Sequence, residues 1–412
     1  MGRGQHRGGL SARSSPEDPA KGWHIWPVYT NINRGSIKRD RHLVYVNKGT
    51  LFAAAFDPAA LEVQGTPMPV LDHVAYSATF GGAQFSFSGG PSDLGTMLYR
   101  SGRAAGDEMR TVHWLDSAGK TQPLLAKPGP YRAPHLSPDG QRLAFSMTNG
   151  SSQDIWIYEW RRDTMTRLTF GTVGSGLPNS VWSPDGRYIV SYDNGGLFSI
   201  RSDGAGKPEA LTQSDNLQVP FSFTPDGKRL AWMESRRGYD LWTMPLETDA
   251  VGLRGGKPEV FLATPFSERQ PAFSPDGRWI AYTSNESGTF QVYVRAFPDK
   301  GGKWQISNGP GVSPVWSPHG HDLFFRSGNQ IMATAWTVKG DSFVADKPRV
   351  WSEKRLADIG LAVGSYDVAP DGKRLVTLIT VETPEADASQ REVIFLLNFG
   401  DELRRKVPLT GK

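Results

Sequence analysis

Few side chains in this 412-residue chain stand at spacings suited to chemistry. His319, His321 and Asp322 sit in the run His319-Gly320-His321-Asp322, where two imidazoles and a carboxylate have the spacing of zinc ligands. The run also occupies a turn where other parts of the chain carry Asp-Gly, so it reads as a drifted hairpin before it reads as a metal site. Asp154 and Asp240 hold matching positions, each just ahead of a strand. That placement suits carboxylates bonding the amides of a neighbouring turn, with a general acid/base pair as the alternative. Gln84, His135, Asn179, Gln270 and Asp367 are the polar residues that would face a central channel, a sparse set for a metal-dependent hydrolase or lyase. Neither Gly-x-Ser-x-Gly nor His-Glu-x-x-His occurs. Cysteine is absent, which excludes a thiolate nucleophile, a disulfide and any Cys-ligated metal. The sequence predicts no catalytic residue, no metal and no cofactor.

The elements that must position these residues come from a repeat. Ser-Pro-Asp-Gly stands at 137–140, 183–186 and 274–277. Its variants are Thr-Pro-Asp-Gly at 224–227, Ser-Pro-His-Gly at 317–320 and Ala-Pro-Asp-Gly at 369–372. Pro presets φ in a tight turn, Asp bonds its own backbone and Gly accepts positive φ, so each tetrapeptide joins two strands as a hairpin. Short apolar strands precede the turns (SVWS, PAFS, PVWS) and longer ones follow (RLAFS, WIAYT, RLVTL). A third strand (DIWIYEW, GLFSIRS, QVYVRAF) and a fourth (TRLTF, EALTQ, KWQIS) complete each unit. The spacing of the turns matches propeller blades.

Composition agrees. Hydrophobic residues make up 38% of the chain, mean hydropathy is −0.43, and 46 Gly, 30 Pro and 45 aromatic residues (13 Trp, 12 Tyr, 20 Phe) favour thin strands and frequent turns over helices. Two degenerate units, at 42–72 and 83–126, precede the six clear ones. The expectation is therefore an all-β fold, a single β-propeller of eight four-stranded blades, with seven as the alternative. The last unit lacks an obvious fourth strand, which His24–Tyr29 is expected to supply by pairing the two ends of the chain. Boundaries are placed at 1–22 for a disordered basic tail, 23–398 for the propeller and 399–412 for a polar tail or short helix.

The stretch FSPDGRWIAYTSNESGTFQVYVRAFPDKGGKWQIS (273–307) resembles the TolB-type, WD40-like propeller repeat. With 42–71, 137–160 and 393–408 in the same order, it is also similar to the C-terminal sensor propeller of bacterial transmembrane serine/threonine kinases. That resemblance implies a sensing or binding module placed outside the membrane. The kinase's glycine-rich loop, His-Arg-Asp and Asp-Phe-Gly are missing here, so its catalysis does not carry over.

In such a ring the innermost strands line a channel, and the loops entering them, with those joining second to third strands, rim one face. The rim residues expected to meet a ligand are Arg132, Asn179, Gln218, Arg236, Arg237, Glu268, Arg269, Gln270 and Ser313. Their mixture of charge and amide suits a protein or peptide partner. Net charge is only +4 and part of it lies at the ends, at Arg3, Arg7, Arg13, Arg404, Arg405 and Lys406. No nucleic-acid stripe is therefore expected. The first 22 residues lack an apolar signal core and no run of 18 apolar residues occurs, so a soluble monomer without membrane insertion is predicted. Three readings follow: a non-catalytic binding or sensor module, a channel hydrolase or lyase with a metal, and a remnant of a membrane-bound kinase sensor region.

Overall fold

A computed structural model of the chain describes residues 42–408 apart from 48, 58–59, 61, 76–82, 89–94, 102–108, 150–151, 172–178, 250–251, 300, 358–363 and 382–392. The expected tail at 1–22 and the closing strand at 24–29 lie outside the described residues. The chain divides into two compact units, one of Met1–Val74, Phe85–Leu98 and Phe395–Lys412, the other of Ala75–Gln84 and Tyr99–Ile394.

The larger unit holds six antiparallel sheets, numbered here as blades. Blade 1 is Tyr131–Leu136, Arg142–Asn149, Ser152–Glu159 and Thr164–Arg167. Blade 2 is Val181–Trp182, Tyr188–Asp193, Gly196–Arg201 and Glu209–Ala210. Blade 3 orders Gln218–Phe223, Arg229–Ser235 and Tyr239–Thr248, with Leu253–Gly255 and Glu259–Leu262 both on the last of these. Blade 4 is Glu268–Phe273, Trp279–Ser284, Gln291–Ala296 and Lys303–Gln305. Blade 5 orders Val312–Trp316, Asp322–Ser327 and Gln330–Lys339, with Ser342–Ala345 and Arg349–Ser352 outside. Blade 6 joins Tyr366–Val368 and Arg374–Thr380 to Arg110–Asp116 and Thr121–Gly129, strands from far earlier in the chain.

Each blade's innermost strand bonds the next, all the way round. Trp182 Nε1 donates to His135 O at 3.0 Å, Asn179 Nδ2 to Pro220 O at 2.6 Å, and the Phe273 amide to Ser222 Oγ at 3.0 Å. Trp316 Nε1 donates to Ala272 O at 2.9 Å, Tyr366 OH to Ser313 O at 2.7 Å, and the Leu136 amide to Asp367 Oδ2 at 2.8 Å. Those six bonds run from blade 1 to blade 6 and back to blade 1. The ring closes.

Apolar side chains fill the gaps between the same neighbours. Val376 and Leu378 of blade 6 pack with Leu143 and Phe145 of blade 1, and Phe324 and Ile331 of blade 5 with Tyr366 and Leu375 of blade 6. Between blades 4 and 5, Trp279, Trp316, Trp336 and Phe343 form one aromatic cluster with ring centroids 5.1–6.0 Å apart. Full burial of each such side chain contributes about 1.5–3 kcal/mol.

The β-propeller is as read from the sequence, but its strands are allotted differently. Eight sheets are present among the described residues, and six of them make the ring, so eight blades in one ring is corrected to six. Arg110–Asp116 and Thr121–Gly129 complete the last repeat, with Thr377 opposite His113 and Val376 opposite Trp114. The physical reason is edge pairing: Arg374–Thr380 exposes backbone donors and acceptors that the earlier strands satisfy. Phe85–Ser88 and Thr96–Arg100 belong to a separate three-stranded sheet with Val393–Leu396.

In the smaller unit His42–Asn47, Thr50–Asp57 and Glu62–Leu71 form a three-stranded antiparallel sheet. A helix, α1 (Phe399–Lys406), buries Phe399 and Leu403 and is tied to that sheet. Lys406 Nζ donates to Val70 O at 2.8 Å, and His42 Nε2 lies 2.7 Å from Val407 O.

The Pro-Asp-Gly turns behave as their chemistry dictates. In the first, Ser137 Oγ donates to Asp139 Oδ1, and the Arg142 amide donates to Ser137 Oγ at 2.9 Å. Gly140 has φ of 62° and faces Pro370 of the preceding blade, whose Cγ would lie 3.0 Å from an added Cβ. Proline of one turn faces glycine of the next in the same way at Pro184 and Gly227, and at Pro225 and Gly277.

Candidate functional site

Three innermost strands carry a bulge at one shared position, five residues before the turn proline. Ala133, Gln270 and Ser313 adopt φ of 46°, 56° and 55°, each followed by proline, and the strand register shifts at each. A non-glycine residue there costs about 1–3 kcal/mol, so the surroundings must hold it. Gln270 and Ser313 hold one another: Gln270 Nε2 donates to Ser313 Oγ at 2.9 Å and the Ser313 amide to Gln270 Oε1 at 2.8 Å. Thr283 Oγ1 adds a third bond to Gln270 Oε1 at 2.9 Å.

Across the ring His135 sits between Asp367 and Asn179. Because Asn179 Nδ2 is committed to Pro220 O, its oxygen faces the imidazole, and His135 donates from Nε2 at 2.9 Å. His135 Nδ1 stands 3.8 Å from Asp367 Oδ2. The Asp367 carboxylate also accepts from the Leu136 and Val368 amides, each at 2.8 Å. Burial pushes its pKa up, while His135 and those amides pull the other way. The arrangement is a blade-joining chain, with each imidazole nitrogen facing a partner.

Between blades 3 and 4 the rim is built from charge and aromatic rings. Glu234 accepts from Gln218 Nε2 at 2.7 Å, Asn216 Nδ2 at 3.1 Å and Arg236 Nε at 3.1 Å. Asp240 lies opposite Glu234 in register, and its carboxyl is raised by burial. Glu268 is buried and raised for the same cause; Thr264 Oγ1 bonds its Oε1 at 2.6 Å, while Oε2 has no partner among the described residues. Arg269 points the other way, as alternation along a strand requires. Its guanidinium carbon is 4.6 Å from the Tyr239 ring centre and 4.8 Å from that of Phe290.

Of the rim residues predicted from sequence, Asn179, Gln218, Glu268, Gln270 and Ser313 are buried and engaged in these bonds. Arg132 and Arg269 are half-buried, and Arg236 and Arg237 are exposed. Gln84 of the channel set is not in an innermost strand; its oxygen accepts from Arg100 Nη1 at 3.2 Å. Asp154 bonds the Gly171 amide at 2.6 Å and pairs with Arg167, the turn-bracing role expected of it. His319 and His321 are exposed, His321 leans on Trp336, and Asp322 pairs with Arg349. Among the described residues no group of three or more His, Asp or Glu is placed to hold a metal ion. Sequence reasoning missed the aromatic rim residues Tyr239, Phe290, Phe170 and Phe266. Their signal was position alone, immediately beside loops that enter or leave a strand.

No family model matches the chain. The Tol-Pal system protein TolB of Francisella tularensis subsp. mediasiatica is 29% identical over 196 residues, which cover 36% of this chain and 45% of that protein. A solved structure assigned to TolB of Agrobacterium tumefaciens superposes with a TM-score of 0.50 at 18% identity, over 68% of this chain and 100% of that one. The ring is a TolB-type, WD40-like β-propeller. The uncharacterized peptidase YuxL of Bacillus subtilis is 29% identical over 158 residues, which cover 38% of this chain and 22% of the peptidase. This chain thus spans less than half the length of either curated relative.

Proposed function

We propose that the TolB-type propeller is a non-catalytic binding module whose rim face docks a protein or peptide. One observation carries this reading: the channel's polar groups are spent on holding blades together, while the rim loops display aromatic rings and arginines. Phe170 is 74% exposed and Phe266 is 44% exposed. Both sit in loops that enter an innermost strand, at the end opposite the Pro-Asp-Gly turns. Exposed aromatics and arginine are the residue types that anchor protein interfaces. The relatives add support, since TolB carries the name of the Tol-Pal system. A sensor role, of the kind the kinase resemblance implies, is the finer form of the same reading.

A photo-crosslinking residue at Phe170 or Phe266, compared with one at Lys228 in a turn of the opposite face, tests it. The expected outcome is protein adducts from the rim positions and none from Lys228. Equal labelling from both faces, or from neither, contradicts the reading.

A further inference from the structure

Among the described residues the rim holds a half-buried cation, Arg269, that no ion pair of the blades consumes. Arg269 leaves the innermost strand of blade 4 just before the left-handed Gln270, so its side chain is aimed by a bulge that Ser313 and Thr283 fix from two sides. The guanidinium lies between Tyr239 of blade 3 and Phe290 of blade 4. Ser267 Oγ accepts from its Nε at 3.0 Å. The backbone that carries both rings is tied down. The Phe290 carbonyl accepts from the Gly311 amide at 2.9 Å, and Tyr239 opens a strand just after Gly238, where an added Cβ would lie 3.2 Å from the Phe266 carbonyl.

None of the nearby carboxylates, Glu234, Asp240, Glu268 and Glu286, pairs with Arg269 among the described residues, although Glu268 Oε2 itself lacks a partner there. Glu234 binds Arg236, Glu286 binds Lys303 Nζ at 2.7 Å, and Glu268 turns to Thr264 and Ser284 on the other side of the strand. Among the described residues Arg269 forms no ion pair. A guanidinium has five donors in a rigid fork matched to a carboxylate, and aromatic faces satisfy none of them. Charged groups removed from water are ordinarily paired, and this one is half-buried with one donor used.

We propose that Arg269 is a carboxylate-binding site, taking an acidic side chain or a C-terminal carboxylate of a docked peptide on its terminal nitrogens. The aromatic clamp fixes the fork before binding, so little side-chain entropy is lost on contact. Exposed Phe266 beside it offers an apolar surface for the flanking residue. The inference deepens the binding-module reading and rests on it.

Arginine side-chain NMR of the intact chain tests the site, with the Arg269 signals assigned by their loss in Arg269→Lys. The probes are acetyl-Gly-Glu-Gly-amide for the acidic side chain, acetyl-Gly-Gly with a free carboxyl for the C-terminus, and acetyl-Gly-Gln-Gly-amide as the neutral control. At least one carboxylate probe should move the Arg269 signals saturably, with the neutral peptide silent, and the probe that acts names the source. Arg269→Lys should weaken that binding about tenfold while leaving the unfolding midpoint in place. Unmoved signals up to about 10 mM of both acids, or equal movement by the neutral peptide, overturn the inference. The wild-type titration alone decides this, whatever the stability of the variant. If rim crosslinking succeeds and the titration fails, the carboxylate site falls and the binding module stands. If crosslinking fails, the module itself falls.

Discussion

Replacing Gly140 with alanine probes the ring where its first and last blades meet. Two costs add. The backbone there has φ of 62°, a region that charges a side chain about 1 kcal/mol. The new methyl would also lie 3.0 Å from Pro370 Cγ and 3.2 Å from its Cδ, and overpacking of this kind costs about 1–3 kcal/mol. Gly171 separates the two, because its φ is 72° and nothing lies within 4 Å of an added Cβ. Gly171→Ala should therefore lose about 1 kcal/mol and Gly140→Ala about 2–4 kcal/mol. Pro370→Ala removes the clashing ring atoms and by itself costs about 0.4–1 kcal/mol through the unfolded chain. The double variant Gly140→Ala, Pro370→Ala should recover at least about 1 kcal/mol relative to the sum of the singles. Urea unfolding of the four proteins at constant m-value supplies the cycle. Equal losses for Gly140→Ala and Gly171→Ala, with no coupling to Pro370, would show that these turns do not face each other.

Trp316→Phe keeps most of the aromatic bulk but leaves the Ala272 carbonyl without its indole donor, so a loss of about 1–3 kcal/mol in urea unfolding is expected. Acid should act through the turns. Burial alone would raise Asp139 and Asp185, yet bonds from the Ser137 and Ser183 hydroxyls and the following amides hold both carboxyls below the usual range. Their contribution is full above the ordinary carboxylate value and lost as pH falls through the lower folded one, below about pH 4. Ser137→Ala with Ser183→Ala should lower stability at neutral pH and flatten that acid limb; a curve parallel to wild type refutes the assignment. Glu268 carries the opposite sign, because burial raises its carboxyl. Glu268→Gln should stabilise the chain at neutral pH, an advantage that shrinks as pH falls through the raised value, read by thermal melts across pH.

Local chemistry made the repeats legible. Each Pro-Asp-Gly turn announces a hairpin, and the Ser or Thr two residues past several fourth strands accepts from the third strand, as Thr169 does from the Ile155 amide at 2.9 Å and Ser307 from the Val292 amide at 3.0 Å. The ring's closure was not legible, because Arg110–Asp116 pairs with Arg374–Thr380 across most of the chain while lying next in sequence to strands of another sheet. Proximity along the chain favoured the wrong partner. The rim was half legible. Its polar residues follow from their place before each turn, but whether they face a ligand or a neighbouring blade depends on atoms contributed by that blade, as Ser313 is for Gln270. Arg269 stood out only as a charge; its clamp comes from Tyr239 and Phe290, which belong to different repeats.

The pairing that completes blade 6 underlies the whole architecture, and a cysteine-free chain makes it simple to trap. His113→Cys with Thr377→Cys, and Trp114→Cys with Val376→Cys, occupy adjacent registered positions, so one of the two is the closely spaced kind that a disulfide bridges. Oxidation of the folded protein should give an intramolecular crosslink in at least one pair, seen as a faster-migrating band that dithiothreitol reverses. Thiols that stay free in both pairs, in protein that is otherwise folded, would contradict the six-bladed ring.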